Sequence, residues 1–266
     1  MFNLLSGEFY KCRKSRSFVV CCLVVIVFVM FIYGCLWMAE RIQKGEMNNG
    51  TAAVVVEVDE TQEVQFVDIA QILFGIVGCV VTAVFVSIFV IGEYTNGAIK
   101  NVVGKGKPRS RIFLAKYIMS VLASVAILFA GVVATLIGGL IFLGTDSFNA
   151  EMIKNLCQYS VVQFLLGAAL AGIVVSIGEM SRSLGVGIAV SVGVLTMSDL
   201  LFMGIDLLFH KVDFTPSNYW IMNLSSQCPV NGVGSDFLGK VIISVVFWMA
   251  VSIAIGMLHF KKADVK

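Results

Sequence analysis

Two carboxylates, Asp199 and Asp206, lie within or near a long apolar run, where a charged group is costly and needs a reason. Two aspartates can share a proton and cleave a bond, as in aspartic proteases, but their carboxyl groups must lie about 3 Å apart. Seven residues along one helix separate them by roughly 10 Å. Asp199 is therefore expected to line a substrate path or to hydrogen-bond a neighbouring helix, and Asp206 to be solvated near the end of the run.

The other candidate groups do not form a catalytic or metal site. His210 and His259 are expected at opposite membrane faces, and no Cys or His cluster has metal-ligand spacing. Pro108 follows the sequence Gly-Lys-Gly-Lys at 104–107, which therefore lacks the spacing of a phosphate-binding loop. The chain is predicted not to be an enzyme and to hold no cofactor. Of the seven cysteines, only Cys157 and Cys228 leave a disulfide open.

The composition predicts an integral membrane protein. Hydrophobic residues make up 58% of the chain, charged residues 14%, and the mean hydropathy is +0.93. Runs of about twenty apolar residues can cross the bilayer as helices. The predicted spans are Phe18–Met38, Val67–Ile91, Ile112–Leu143, Leu156–Gly178, Leu184–Phe209 and Phe237–Phe260. The fold class is thus all-α and polytopic, because helices satisfy their own backbone in lipid.

The basic residues predict the orientation. All but five of the 19 lysines and arginines fall on the side of the N-terminus, which places both termini in the cytoplasm. The five exceptions are Arg41, Lys44, Lys154, Lys211 and Lys240. The chain then divides into an interfacial segment (1–17), a six-span domain (18–260) and a cytoplasmic tail (261–266), with a cytoplasmic loop at 92–111 and external loops at 39–66, 144–155 and 210–236. The membrane surface accounts for the basic residues, so no nucleic-acid partner is expected.

Residues 1–17 are predicted to form an amphipathic helix in the membrane interface. Phe2, Leu5, Phe9 and Cys12 recur at helical spacing, and most basic residues, Lys11 and Arg13 among them, lie off that stripe. The alternative is a simple positive anchor for the first span. The basic start of the third run, up to Lys116, is expected to project into the cytoplasm or to require a tilted helix.

Two further segments leave alternatives open. Residues Phe214–Leu224 contain Tyr219 and Trp220 and few charges, which fits either a segment dipping into the outer leaflet, with these two residues as interface anchors, or an ordered surface loop. Gly185, Ala189 and Gly193 follow each other at four-residue steps in the fifth run. Small residues at this spacing favour close helix contacts, within the chain or between subunits.

The polar, basic insert after the second run carries a family resemblance. Together with the start of the chain (1–15), it resembles ABC-2-type permeases of bacterial ABC exporters, in particular the six-span permeases of the bacitracin-resistance and lantibiotic-immunity group. In the insert, the resemblance is carried by Glu93, Tyr94, Gly97, Ile99, Lys100, Asn101, Gly106, Arg109, Arg111 and Lys116.

This resemblance implies a permease in the bacterial plasma membrane, paired with a second, identical or related, permease and driven by a separate ATPase that binds ATP and Mg²⁺. It also implies that the insert forms a coupling helix seated in the ATPase. The expected docking face is Glu93, Tyr94, Asn96, Gly97, Lys100 and Asn101. Arg109 and Arg111 are expected to bind lipid phosphates. The expected substrate is an amphipathic peptide, an antibiotic or another membrane-partitioning compound, and the alternative is an ATP-independent transporter or channel using Asp199 and Asp206.

Overall fold

The computed structural model describes residues 2–43, 66–95, 108–142, 150–181, 183–208, 215–229 and 232–262. These residues contain helices and no strand, which confirms the all-helical class. The helices are α1 (Phe2–Lys14), α2 (Arg16–Gln43), α3 (Phe66–Ile72), α4 (Gly78–Thr95), α5 (Arg109–Phe142), α6 (Ala150–Ser181), α7 (Leu184–Leu208), α8 (Ile221–Ser226) and α9 (Ser235–Lys262). A π-helical turn, Leu73–Val77, joins α3 to α4, and a 3₁₀ turn, Pro216–Tyr219, precedes α8.

Five helical segments in this part of the chain are long and apolar enough to cross a membrane. They are Arg16–Ala39, Ile69–Thr95, Arg109–Phe142, Met152–Ser181 and Ser235–Phe260. A sixth span results if Leu184–Ser198 and Leu200–Leu208, which meet at a bend of 49°, are taken as one. The protein is therefore polytopic, and the six apolar runs in the sequence correspond to helices in the structure.

Helix α6 lies at the centre of the bundle and packs against α4, α5, α7 and α9. In its most apolar stretch 67% of the residues are buried, compared with 22% in the first span. Buried hydroxyls tie α5 and α6 to α9. Ser176 donates to the carbonyl of Ser252 at 2.7 Å, and the Tyr117 hydroxyl lies 2.9 Å from Ser252 Oγ. A Cβ on Gly172 would collide with Tyr117 and Ser252, so this glycine serves a contact within the chain.

The stripe of Gly185, Ala189 and Gly193 lies on an outer face of α7. Gly185 and Ala189 are exposed, and a Cβ at Gly185 or Gly193 would meet nothing within 4 Å. The close contact of this helix with α4 is made by Gly187, against Ile91. Within the described part of the chain, the small-residue stripe is therefore not used for internal packing.

The segment after α7 is packed into the protein. Trp220, Ile221 and Leu224 are buried, and Trp220 Nε1 donates to Ser198 Oγ at 2.9 Å. The expectation that Trp220 anchors the chain at a lipid interface is wrong, because its indole is enclosed by protein. Phe214 lies outside the described residues. All seven cysteines are free, so Cys157 and Cys228 do not form a disulfide.

The contact between α2 and α5 depends on a glycine, Gly138, whose lack of a side chain leaves room for the Tyr33 ring. The Tyr33 ring is 1% exposed, its hydroxyl donates to the Thr135 carbonyl at 2.8 Å, and a Cβ on Gly138 would lie 2.6 Å from its Cε2 atom. We expect Gly138→Ala to lower the free energy of unfolding by about 1–3 kcal/mol, because overpacking forces a buried ring from its position. Thermal unfolding in detergent measures the change. Gly34→Ala is the matched control, since a Cβ there meets nothing within 4 Å, and an equal loss in both variants would contradict the packing argument.

Candidate functional site

Five charged side chains from four helices meet at the end of the bundle that carries α1. We call them the ion-pair cluster: Glu8, Lys11, Glu93, Lys116 and Glu179. Glu8 and Lys11 come from α1, Glu93 from the last turn of α4, Lys116 from the start of α5 and Glu179 from the last turn of α6. Residues 96–107, which lie between the α4 and α5 members in the sequence, are outside the described residues.

Glu93 is the centre of the ion-pair cluster because each of its two oxygens holds a different lysine. Oε1 accepts from Lys11 Nζ at 2.8 Å, and Oε2 lies 2.9 Å from Lys116 Nζ. Lys11 also bonds to Glu8 at 2.9 Å. One carboxylate thus joins α1, α4 and α5.

The second half of the cluster reaches α6. Lys116 Nζ lies 3.7 Å from Glu179 Oε1, and both side chains are almost fully buried, at 1% and 0% exposure. The Tyr94 hydroxyl donates to Glu179. The Tyr94 ring lies 4.9 Å from the Lys116 ammonium, in cation–π geometry. Buried charges are tolerated when they are paired, and here the pairing links four helices.

Burial and neighbouring charges shift the pKa values of Glu8 and Lys11, the two members of the ion-pair cluster on α1. Burial raises the pKa of Glu8, and the nearby carboxylate of Glu93 raises it further, against the opposing effect of Lys11. Burial lowers the pKa of Lys11, but hydrogen bonds to Glu93 and Glu8 outweigh this effect, and the net pKa is raised. Lys11 therefore stays protonated at neutral pH, and its charge holds α1 to α4.

The structure adds partners to two residues that the sequence placed near the membrane surface. Lys11 is engaged by two carboxylates, and Lys116 is buried within the protein. Glu93 and Tyr94 are expected on the docking face. Their side chains take part in the ion-pair cluster, Glu93 through Lys11 and Lys116 and Tyr94 through Glu179.

The other residues predicted for the interface and for docking are not members of the ion-pair cluster. In α1, Cys12 is buried and Leu5 packs against the core, whereas Phe9 and Arg13 are exposed. Only part of the apolar stripe of α1 therefore packs against the bundle, and Phe9 does not. Arg109 is half-buried and Arg111 exposed. Outside the described residues lie Asn96, Gly97, Lys100, Asn101 and the side chain of Phe2.

The aspartates of α7 belong to a different region. The side chain of Asp199 is not described, and its backbone lies at the 49° bend. Asp206 Oδ1 accepts from the backbone N–H of Ser217 at 3.2 Å, at the end of the bundle opposite the ion-pair cluster. Among the described residues no group of three or more His, Cys, Asp or Glu side chains could hold a metal ion.

Sequence reasoning missed Glu8 and Glu179 as site residues. Glu179 follows immediately after the predicted fourth span, and a carboxylate at such a position needs a partner, which was a usable signal. Glu8 gave a weaker signal, since an acidic residue in a surface helix is ordinarily solvated. The cluster has no nucleophile beside a base, and its geometry suits a mechanical joint between helices.

A family model described as ABC-2 family transporter protein matches residues 4–199, which is well over half of the chain and includes every member of the ion-pair cluster. A comparison with curated proteins gave no match.

Proposed function

Because this chain belongs to the ABC-2 transporter family, we propose that it is the membrane subunit of an ATP-driven exporter whose ATPase is a separate protein. The observation that carries the proposal is the ion-pair cluster. Glu93 precedes residues 96–107 in the chain and Lys116 follows them, and the ion pairs of the cluster join α4 to α1 and α5, and α5 to α6. An exporter driven from outside the membrane needs such a joint.

The loop 96–107 is the proposed docking site for the ATPase. Asn96, Gly97, Lys100 and Asn101 supply amide and ammonium groups for contacts across the joint, and Gly97 permits close approach. Glu93 and Tyr94 act one step away. They fix the base of the loop to α1, α5 and α6, so that a push on the loop moves helices as well as the loop itself.

The movement passes from the ion-pair cluster into the bundle. Lys116 transfers it to α5, and Glu179 transfers it to α6, which packs against α4, α5, α7 and α9. Packed helices shift as rigid bodies because their interiors are close to crystal density. ATP-driven closure of the ATPase pair thus opens the central path to the far side by tilting α5 and α6.

The orientation follows the positive-inside rule, with both termini in the cytoplasm of a bacterial cell. On this orientation the ion-pair cluster is at the cytoplasmic face. Helix α1 lies in the interface there, with the exposed Phe9, Tyr10 and Arg13 turned toward lipid. Arg111, also exposed, binds lipid phosphate groups.

A second permease, identical or related, completes the exporter. The stripe of Gly185, Ala189 and Gly193 is its proposed contact, because it is an open face of α7 that lets two backbones approach closely. The substrate is an amphipathic peptide, an antibiotic or another membrane-partitioning compound, as the resemblance to the bacitracin-resistance and lantibiotic-immunity group implies.

Copurification tests the proposal. A tagged chain, co-expressed with candidate ABC ATPases from the same genome, is expected to recover one of them from detergent extracts. Gly97→Trp is expected to reduce the recovery at least tenfold, because a large side chain keeps the loop from seating. The amount of permease inserted in the membrane stays unchanged.

Gly234→Trp is the matched control. Gly234 is exposed at the opposite end of the bundle, and a Cβ there meets nothing within 4 Å. The variant is expected to recover the ATPase as well as the unmodified chain does. Full recovery with Gly97→Trp would reject the docking role of the loop, and no recovery by the unmodified chain would reject the exporter assignment.

A further inference from the structure

We propose that a cleft between α7, the 3₁₀ turn and α8 binds the positively charged headgroup of a cationic amphiphile, such as an alkylammonium compound. The cleft has a volume of about 250 Å³ and lies at the end of the bundle opposite the ion-pair cluster. Its lining residues are Phe202, Met203, Asp206, Ser217, Trp220 and Asn223. The site deepens the proposed export function and rests on it only for the claim that the bound molecule is cargo.

The aromatic wall of the cleft is fixed in place. Trp220 stacks on Phe202 with ring centroids 4.7 Å apart, and Trp248 meets Trp220 edge-on at 4.9 Å. Both indole N–H groups donate hydrogen bonds, that of Trp220 to Ser198 Oγ and that of Trp248 to the Tyr219 carbonyl. Rings held in this way keep their orientation, and a ring face that borders the cleft attracts cations.

The polar groups of the cleft favour a cation over an anion. The Ser217 N–H donates to Asp206 Oδ1 at 3.2 Å, and Asn223 Nδ2 donates to the Ser217 carbonyl at 2.9 Å. Asn223 Oδ1 accepts from Gln227. The carboxylate is left as the charged group of the site, and none of the described basic side chains forms an ion pair with it.

The surroundings of the cleft suit an amphiphile rather than a small hydrophilic ion. Leu200, Met203 and Leu207 on α7 are 66%, 63% and 71% exposed and face outward beside Asp206. They offer an apolar track along which an alkyl chain can lie in the hydrocarbon. A methylated ammonium group needs no hydrogen-bond acceptor in a fixed direction, and the combination of one carboxylate and aromatic rings satisfies it.

Binding of dodecyltrimethylammonium to the full chain in dodecyl maltoside micelles, which contain no ammonium group, tests the proposal. A Trp37→Phe background leaves Trp220 and Trp248 as the only tryptophans, so their emission reports on the cleft. We expect a saturable emission change that dodecanol and dodecyl sulfate do not produce. Asp206→Asn is expected to weaken the affinity at least tenfold, because it removes the charge and keeps an oxygen for the Ser217 N–H.

Asp236→Asn is the control, since this exposed carboxylate at the start of α9 lies outside the cleft, and its affinity is expected to stay within twofold. Equal responses to the three amphiphiles, or equal affinities of the two variants, would overturn the site. Should Asp206→Asn fail to fold, competition on the unmodified chain decides: tetramethylammonium must displace the probe, and its failure to do so rejects the proposal. The assay contains neither ATPase nor nucleotide, so its result is independent of the copurification that tests the exporter assignment.

Discussion

Lys116→Met is expected to destabilise the folded protein by about 3–5 kcal/mol, because removing one partner of a buried ion pair leaves the other charge uncompensated. Lys116 is 1% exposed and lies between the carboxylates of Glu93 and Glu179, at 2.9 and 3.7 Å. Without it, Glu179 keeps the Tyr94 hydroxyl but faces Glu93 across a gap without positive charge. The midpoint of thermal unfolding is expected to fall by roughly 10 °C.

Labelling of the buried thiols measures the unfolding of this variant directly. Cys12, Cys21 and Cys228 are buried and free, so a thiol-reactive dye labels them as the protein unfolds. Lys154→Met, at an exposed lysine of α6, is the matched control and is expected to change stability by less than about 0.5 kcal/mol. Removing the charges of Glu93 and Glu179 together with Lys116 is expected to restore much of the loss. If Lys116→Met unfolds at the same temperature as Lys154→Met, the ion-pair cluster does not hold the helices together.

The sequence was sufficient to predict the helices because the signal for a span is local. The run Ile112–Leu143 lies almost entirely within α5, and Leu184–Phe209 corresponds to α7 with one residue of difference at the end. Length and apolarity determine these elements within a stretch of consecutive residues. The bend at Asp199 and the π-helical turn at Leu73–Val77 have no such local signature, because neighbouring helices decide whether a break is tolerated.

The candidate site was harder to predict because it depends on the rotation of each helix about its axis. Hydropathy places Glu93 and Lys116 near one membrane face, but it does not say that they point toward each other. Glu8 and Glu179 are separated by most of the chain and join the same cluster only because α1 and α6 both pack against α5. The same limitation explains Trp220, whose sequence context fits a lipid interface as well as it fits the buried contact with Ser198.

Glu93→Gln is expected to lower ATP-driven export at least tenfold while the ATPase stays bound. The amide keeps the shape of the side chain but loses the charge that holds Lys11 and Lys116 on separate oxygens. The loop 96–107 keeps its own residues, so docking persists, but its base is no longer tied firmly to α1 and α5. Cells that express the variant with its ATPase are expected to lose resistance to an amphipathic peptide antibiotic that the unmodified pair expels.

A second measurement avoids the need to know the substrate. Cys35 and Cys157 are exposed and lie on α2 and α6 toward the end opposite the ion-pair cluster. In the reconstituted complex, their labelling rate is expected to change on addition of ATP, and Glu93→Gln is expected to abolish that change. Asp236→Asn, which removes a carboxylate far from the ion-pair cluster, is expected to leave the response intact. A normal ATP response in Glu93→Gln, with the ATPase bound, would mean that movement reaches the bundle by a route that does not pass through this carboxylate. In contrast, loss of the response together with loss of the ATPase would assign Glu93 to docking rather than to transmission.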